Sequence, residues 1–188
     1  TFHGTMCRLA AVLVLGAALL GVSKGASEDA LRPHKYWRVK APGFSQWALT
    51  ETRWLAEDGT SISLEGEALL SSGSYAPWCT PEVAVDGDEK SYWLEGKGET
   101  LNRWMGVAFR EPRRLAGVEV QQFKHDNYRA VFAELEWSDD GEAWAIAAES
   151  ELQGSYDGGP GAWERISIVQ AAEKDNGGGA DGTGSAAL

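Results

Sequence analysis

Two carboxylates, Asp86 and Asp88, flank Gly87 in the stretch Pro81-Glu82-Val83-Ala84-Val85-Asp86-Gly87-Asp88-Glu89-Lys90-Ser91-Tyr92-Trp93. With the Ser91 hydroxyl and the backbone carbonyls of a tight loop, they form a set of hard oxygen ligands of the kind Ca²⁺ prefers. The same residues also suit a hydrogen-bonded surface turn. Gly87 takes a positive φ without steric cost, and Asx side chains bond nearby backbone N–H groups. The spacing alone leaves both readings open.

A second group has the chemistry of recognition. Gly73 to Pro81 reads as a loop carrying Tyr75, Trp78 and Cys79, and His125-Asp126-Asn127-Tyr128-Arg129 joins two strands. An exposed Trp78 beside Tyr75 offers a face for stacking on a sugar ring, while His125, Asn127 and Arg129 supply donors and acceptors for hydroxyls. A core-capping tryptophan and an ordinary polar loop are the plainer alternatives. Enzyme chemistry lacks support: there is no nucleophile elbow, His-Glu-x-x-His, phosphate loop or Cys-x-x-Cys. Acidic pairs are numerous only because the whole chain is acidic.

The elements that must position these groups read as short strands. Lys35–Lys40 is a first strand, after a polar and loose Ala26–His34. Trp47–Leu55 is a second, with Ala48, Thr50, Thr52 and Trp54 on one face; Ile62–Leu64 is a short third. Beyond the Asp86 turn, Trp104–Phe109 alternates and stops at Glu111-Pro112, and Gly117–Phe123 follows. In Val131–Trp137, Val131, Ala133, Leu135 and Trp137 alternate with outward Glu134 and Glu136. Ser138-Asp139-Asp140-Gly141 makes a hairpin turn into Ala143–Ala147, and Trp163–Val169 closes the series with Ile166 and Ile168 inward. Trp93, Trp104, Trp137 and Trp163 fall on strand patterns and are expected in the core. Closely spaced strands without a convincing helix imply an all-β protein, an antiparallel β-sandwich.

The motifs Ala84–Trp93, Arg103–Phe109, Arg113–Phe123, Val131–Trp144 and Gly161–Val169, in that order, resemble the discoidin family, also called coagulation factor 5/8 type C. The resemblance runs from about Tyr36 to Glu173 and implies a jelly-roll sandwich of the galactose-binding-like fold. It also implies a non-catalytic module that binds carbohydrate or lipid surfaces, often with a structural Ca²⁺. The family's cation site, carried over by position, comprises Asp86, Asp88 or its carbonyl, Ser91 and Glu173, with carbonyls from Val83 and Ala172. Ser91 stands where Thr is more usual in the family.

Composition narrows the partners. The 188 residues allow one sizeable domain, here 35–173, and 43% hydrophobic content with nine Trp indicates a globular chain. A formal charge of −11 argues against nucleic acid and anionic membranes and leaves carbohydrate or glycoprotein surfaces as the expected partners. Residues 1–25 contain a secretory signal, with Arg8 ahead of the apolar Leu9–Leu20 and cleavage expected before Ala26, so the domain is expected outside the cell. Thr1–Thr5 precede the first Met, which fits a start at Met6 or a piece of something longer. Cys79 then lacks an internal disulfide partner, and the Gly-rich 174–188 reads as a flexible tail. Two alternatives to a carbohydrate-binding module remain: a phospholipid-binding module and an accessory domain of a larger hydrolase.

Overall fold

The computed structural model describes residues 27–44, 46–95, 101–152 and 161–168. The expected signal segment, Ala172, Glu173 and the Gly-rich tail lie outside the described residues. Among the described residues nine strands run in chain order: β1 (His34–Pro42), β2 (Trp47–Leu55), β3 (Ala68–Ser71), β4 (Trp93–Glu95), β5 (Asn102–Arg113), β6 (Gly117–Gln122), β7 (Phe132–Ser138), β8 (Ala145–Glu151) and β9 (Trp163–Ser167). They form a five-stranded sheet, β3-β5-β1-β7-β8, and a four-stranded sheet, β4-β2-β6-β9, with every pairing antiparallel. Helical structure among the described residues is limited to 3-10 turns at Glu28–Leu31, Pro81–Ala84 and Asp126–Tyr128. This is the β-sandwich that the alternating sequence requires.

The core lies between the sheets and is built on Trp37, Trp47, Trp54 and Trp93, all wholly buried, with Met105, Val107, Phe109, Leu135 and Ile166. Each buried indole removes some 150–250 Å² from water, worth roughly 4–6 kcal/mol before entropy is counted. Two of the four indoles also find backbone carbonyl partners. Trp37 Nε1 donates to Arg113 O at 3.0 Å and Trp93 Nε1 to Gly73 O at 2.9 Å.

Several expectations change. Ile62–Leu64 is not a strand: the segment makes a single bridge, Ser61 to Leu55, before turning, and the strand that follows is Ala68–Ser71, paired with β5. Strand β2 does not keep one face throughout, because a bulge between Leu49 and Glu51 moves its alternation by one residue. Trp47 and Leu49 before the bulge and Trp54 after it therefore enter one core, while Ala48 joins a smaller cluster. Strand β5 passes through Glu111-Pro112 to Arg113; the register with β1 slips between His34 and Tyr36, so the ladder skips the proline that cannot donate. Val131 precedes β7, falls outside its alternation and is 65% exposed. Trp104 and Trp163 leave the core for the outer faces. There the Arg38 guanidinium lies 5.1 Å from the Trp104 ring and 3.9 Å from that of Trp144, and Arg53 lies 3.8 Å over Trp163. The segment expected to be loose before β1 is held at His34, 3% exposed. Its ring stacks on Trp137 at 3.7 Å, with its nitrogens 2.9 Å from Asp139 Oδ1 and 2.7 Å from Asp29 O.

One buried amide sets the loop after β6. Gln122 is wholly buried, and its Oε1 accepts from Trp47 Nε1 at 3.0 Å and from Ala130 N at 2.8 Å. Its Nε2 donates to Ala130 O at 3.1 Å and to Glu164 Oε1 at 3.0 Å. The side chain thus replaces a missing ladder rung, closing the 123–130 loop onto β6. Gln122→Leu keeps the volume but leaves the Trp47 and Ala130 groups without partners, each costing roughly 1–3 kcal/mol. Denaturant unfolding should show a loss of at least about 2 kcal/mol, and amide exchange of 124–130 should accelerate; unchanged stability would remove the clamp from this account.

Candidate recognition end and oxygen cage

The two loops singled out for recognition emerge at one end of the sandwich. A small cluster of Ala48, Ala76, Cys79 and Leu94, with Tyr92, Phe123 and Tyr128 packed on it, draws residues from both. Tyr75 N donates to Leu94 O at 2.7 Å and Phe123 N to Ala48 O at 3.1 Å, which fixes the loop bases on neighbouring strands of the same sheet. Tyr92 and Phe123 stack at 4.0 Å, and Phe123, His125 and Tyr128 lie 5.8–6.5 Å apart, centroid to centroid. Above this aromatic base, Trp78 is 73% and Tyr75 42% exposed. His125 and Asn127 are exposed as well. Arg129 is more withdrawn, its side chain 15% exposed and its Nη1 3.3 Å from Asp126 Oδ1 across the 3-10 turn. The residues proposed from sequence for ligand contact thus share one end.

Tyr92, Phe123 and Tyr128 are the supporting residues that sequence reading passed over. Tyr128 lay inside a recognised loop; Tyr92 closes the Asp86 turn stretch and Phe123 ends a strand pattern, and neither gave a sign of meeting the other. Cys79 is buried and free, its thiol pushed up by burial, so it is a packing group within this end.

The Asp86 turn has its own geometry. Pro81–Ala84 winds into a 3-10 turn with proline at its start, and Gly87 takes φ +79°, the conformation the Asp-Gly pair anticipates. The Ser91 Oγ lies 2.8 Å from Asp88 O, 3.2 Å from Val83 O, and 3.1 and 3.0 Å from the two Asp86 carboxylate oxygens. One hydroxyl proton cannot satisfy all of these acceptors. These oxygens gather around the Ser91 hydroxyl, and Asp86 Oδ1 also accepts from Asp88 N at 2.7 Å; they are of the hard kind that Ca²⁺ prefers. Asp88 faces Ser91 Oγ through its carbonyl, while its Oδ1 accepts from Lys90 N at 3.0 Å. Among the described residues no three His, Cys, Asp or Glu side chains converge as a metal site. The converging oxygens are one carboxylate, two carbonyls and one hydroxyl, and the expected Ala172 and Glu173 ligands lie outside the described residues.

Sequence reading did not anticipate Glu51. It sits on β2, 6% exposed, with Oε1 accepting from Gly87 N at 2.8 Å. Burial pushes its carboxyl up to about 7, and the neighbouring Asp86 adds to the rise against the Gly87 hydrogen bond and the Arg53 charge. No periodicity could reveal this, because Glu51 follows the bulge and meets the turn 36 residues later.

The family model described as F5/8 type C domain matches residues 67–173. The chain belongs to this family. The match agrees with the two antiparallel sheets and makes the protein a binding module by class. Neither the curated proteins nor the solved structures provide a match.

Because its folded-state value is raised, Glu51 binds its proton more tightly in the native than in the unfolded chain. Its contribution to stability is therefore full below the ordinary carboxylate value of 4.5 and lost as pH rises through about 7. In chelator, stability should fall between about pH 5 and pH 8 by on the order of 1–3 kcal/mol. Glu51→Gln should flatten that part of the profile in thermal melts; an identical slope in the variant would count against the buried carboxyl.

Proposed function

We propose that this F5/8 type C domain is a secreted, non-catalytic module that binds carbohydrate on glycoproteins or cell surfaces through the Trp78 end, with a structural Ca²⁺ in the Asp86 turn. The observation that supports it most is Trp78, 73% exposed, on a loop whose Ala76 and Cys79 are packed into a common cluster with Phe123 and Tyr128. An indole held out to solvent on a rigid base suits the apolar C–H face of a pyranose. His125, Asn127 and Tyr75 stand on the same two loops and can serve the hydroxyls. The charge of −11 disfavours anionic phospholipid as the surface recognised. Among the described residues no helix is long and apolar enough to cross a membrane.

The role assigned to calcium is to hold a turn together, not to touch ligand. Val83, Asp86, Asp88 and Ser91 supply its oxygens, and Ala172 and Glu173 are the further ligands expected from the returning chain. Bound only by the folded state, Ca²⁺ at about 100 times its Kd should add roughly 2.7 kcal/mol. Chelation should therefore lower the melting temperature, and Asp86→Ala should abolish the response. The same melting curve with and without chelator would reduce the turn to a hydrogen-bonded loop.

Glycan-array binding by calcium-loaded protein tests the recognition end. Trp78→Ala and Arg129→Ala should each weaken the strongest glycan by at least about 1 kcal/mol while melting normally. Full retention in both moves the site elsewhere.

A further inference from the structure

The first residues of the 73–81 loop are built against two residues of β4. Leu94 presents its carbonyl to Tyr75 N at 2.7 Å and packs its side chain with Ala76 and Cys79. Its neighbour Glu95 is 2% exposed and ion-paired to Arg103 of β5, itself 1% exposed. The carboxylate oxygen that meets Arg103, Oε2, also lies 3.3 Å from Ser72 Oγ, just where the chain leaves β3. Ser72 is held from a second side, its N donating to Trp104 O at 2.9 Å and its Oγ accepting from Trp104 N at 3.1 Å. Gly73 O accepts from Trp93 Nε1 at 2.9 Å, and the glycine, at φ +151°, comes so near β4 that a Cβ on it would stand 3.3 Å from Glu95 Cγ.

Stability alone does not call for charges at this place. Two ions taken out of water lose hydration that their attraction only partly returns, and an apolar pair of similar volume is often as stable or more so. What an apolar pair lacks is a directional acceptor for the Ser72 hydroxyl. We propose that Glu95, held by Arg103, is a positioning residue for the Tyr75–Trp78 loop. It fixes the residues that lead into the loop, so the two exposed aromatics stand ordered before any ligand arrives, and an interface ordered in advance loses less conformational freedom on binding. Ligand contact there rests on the glycan reading of that end, whereas the ordering of the loop does not.

The double variant Glu95→Leu, Arg103→Met separates position from stability. Its melting temperature should equal or exceed the parent's, while the Tyr75 and Cys79 amides, bonded to Leu94 O and Ala76 O, exchange at least about tenfold faster by NMR. On an immobilised glycan array in Ca²⁺, its apparent Kd for the glycan that the parent binds most strongly should rise by at least about tenfold. Ser72→Ala removes the hydroxyl alone and should show both effects in smaller measure, which decides the matter if the double variant does not fold. Parent-like exchange of Tyr75 and Cys79, or faster exchange spread evenly over the domain, would overturn the proposal and leave the pair as general support. Faster loop exchange with undiminished glycan binding would also overturn it. An array on which the parent binds no glycan would instead remove the glycan reading, and amide exchange would then decide the positioning role by itself.

Discussion

The arrangement of this domain turns on a single buried amide. Gln122 stands at the end of β6, where the ladder stops and the chain must leave the sheet to form the 123–130 loop. An unpaired amide buried at that point would cost several kcal/mol, yet all of its hydrogen-bonding capacity toward Trp47, Ala130 and Glu164 is used. Through Trp47 it is tied to the core, through Glu164 to β9, and through both backbone groups of Ala130 to the loop that carries His125 and Asn127. Loop position is thus set by the core. That is what a binding end needs if little ordering entropy is to be lost when ligand arrives.

The outer faces solve a different problem. Arg38 and Lys40 on β1 lie opposite Glu136 and Glu134 on β7, and Lys40 Nζ reaches both carboxylates at 2.8 and 2.9 Å. Against the depressing effect of burial, those hydrogen bonds hold the Lys40 ammonium above its ordinary value. Trp104 and Trp144 flank Arg38 on the same face, so a flat sheet surface is covered by its own long side chains and kept polar. The buried Arg103–Glu95 ion pair instead ties β4 in one sheet to β5 in the other.

How much of this the sequence revealed follows from the range of each interaction. Period-two alternation placed β1, β2, β6, β7 and β9 to within a few residues, because burial on one face leaves a local trace. The Asp-Gly pair marked the Gly87 turn for the same reason. Strand β3 was missed, since Ala68–Ser71 is an edge strand whose half-exposed residues do not alternate clearly. The bulge in β2 was also hidden, and with it the inward turn of both Trp47 and Trp54. At the proposed recognition end the exposed residues could be named from loop composition. Their support could not, because the stack of Tyr92 on Phe123, the Gln122 clamp and the contact of Glu51 with Gly87 join residues 31, 8 and 36 positions apart, and no local pattern encodes them.

The central claim is that the 73–81 and 123–130 loops act as one recognition surface. Its most direct test is an amide and indole chemical-shift titration of the calcium-loaded domain with the glycan bound most strongly on an array. This account predicts saturable shifts at the Trp78 indole and at the amides of Ala76–Cys79 and His125–Ala130, with β3 and β8 unmoved. Saturable shifts centred on another face, with the Trp78 indole silent, would contradict it.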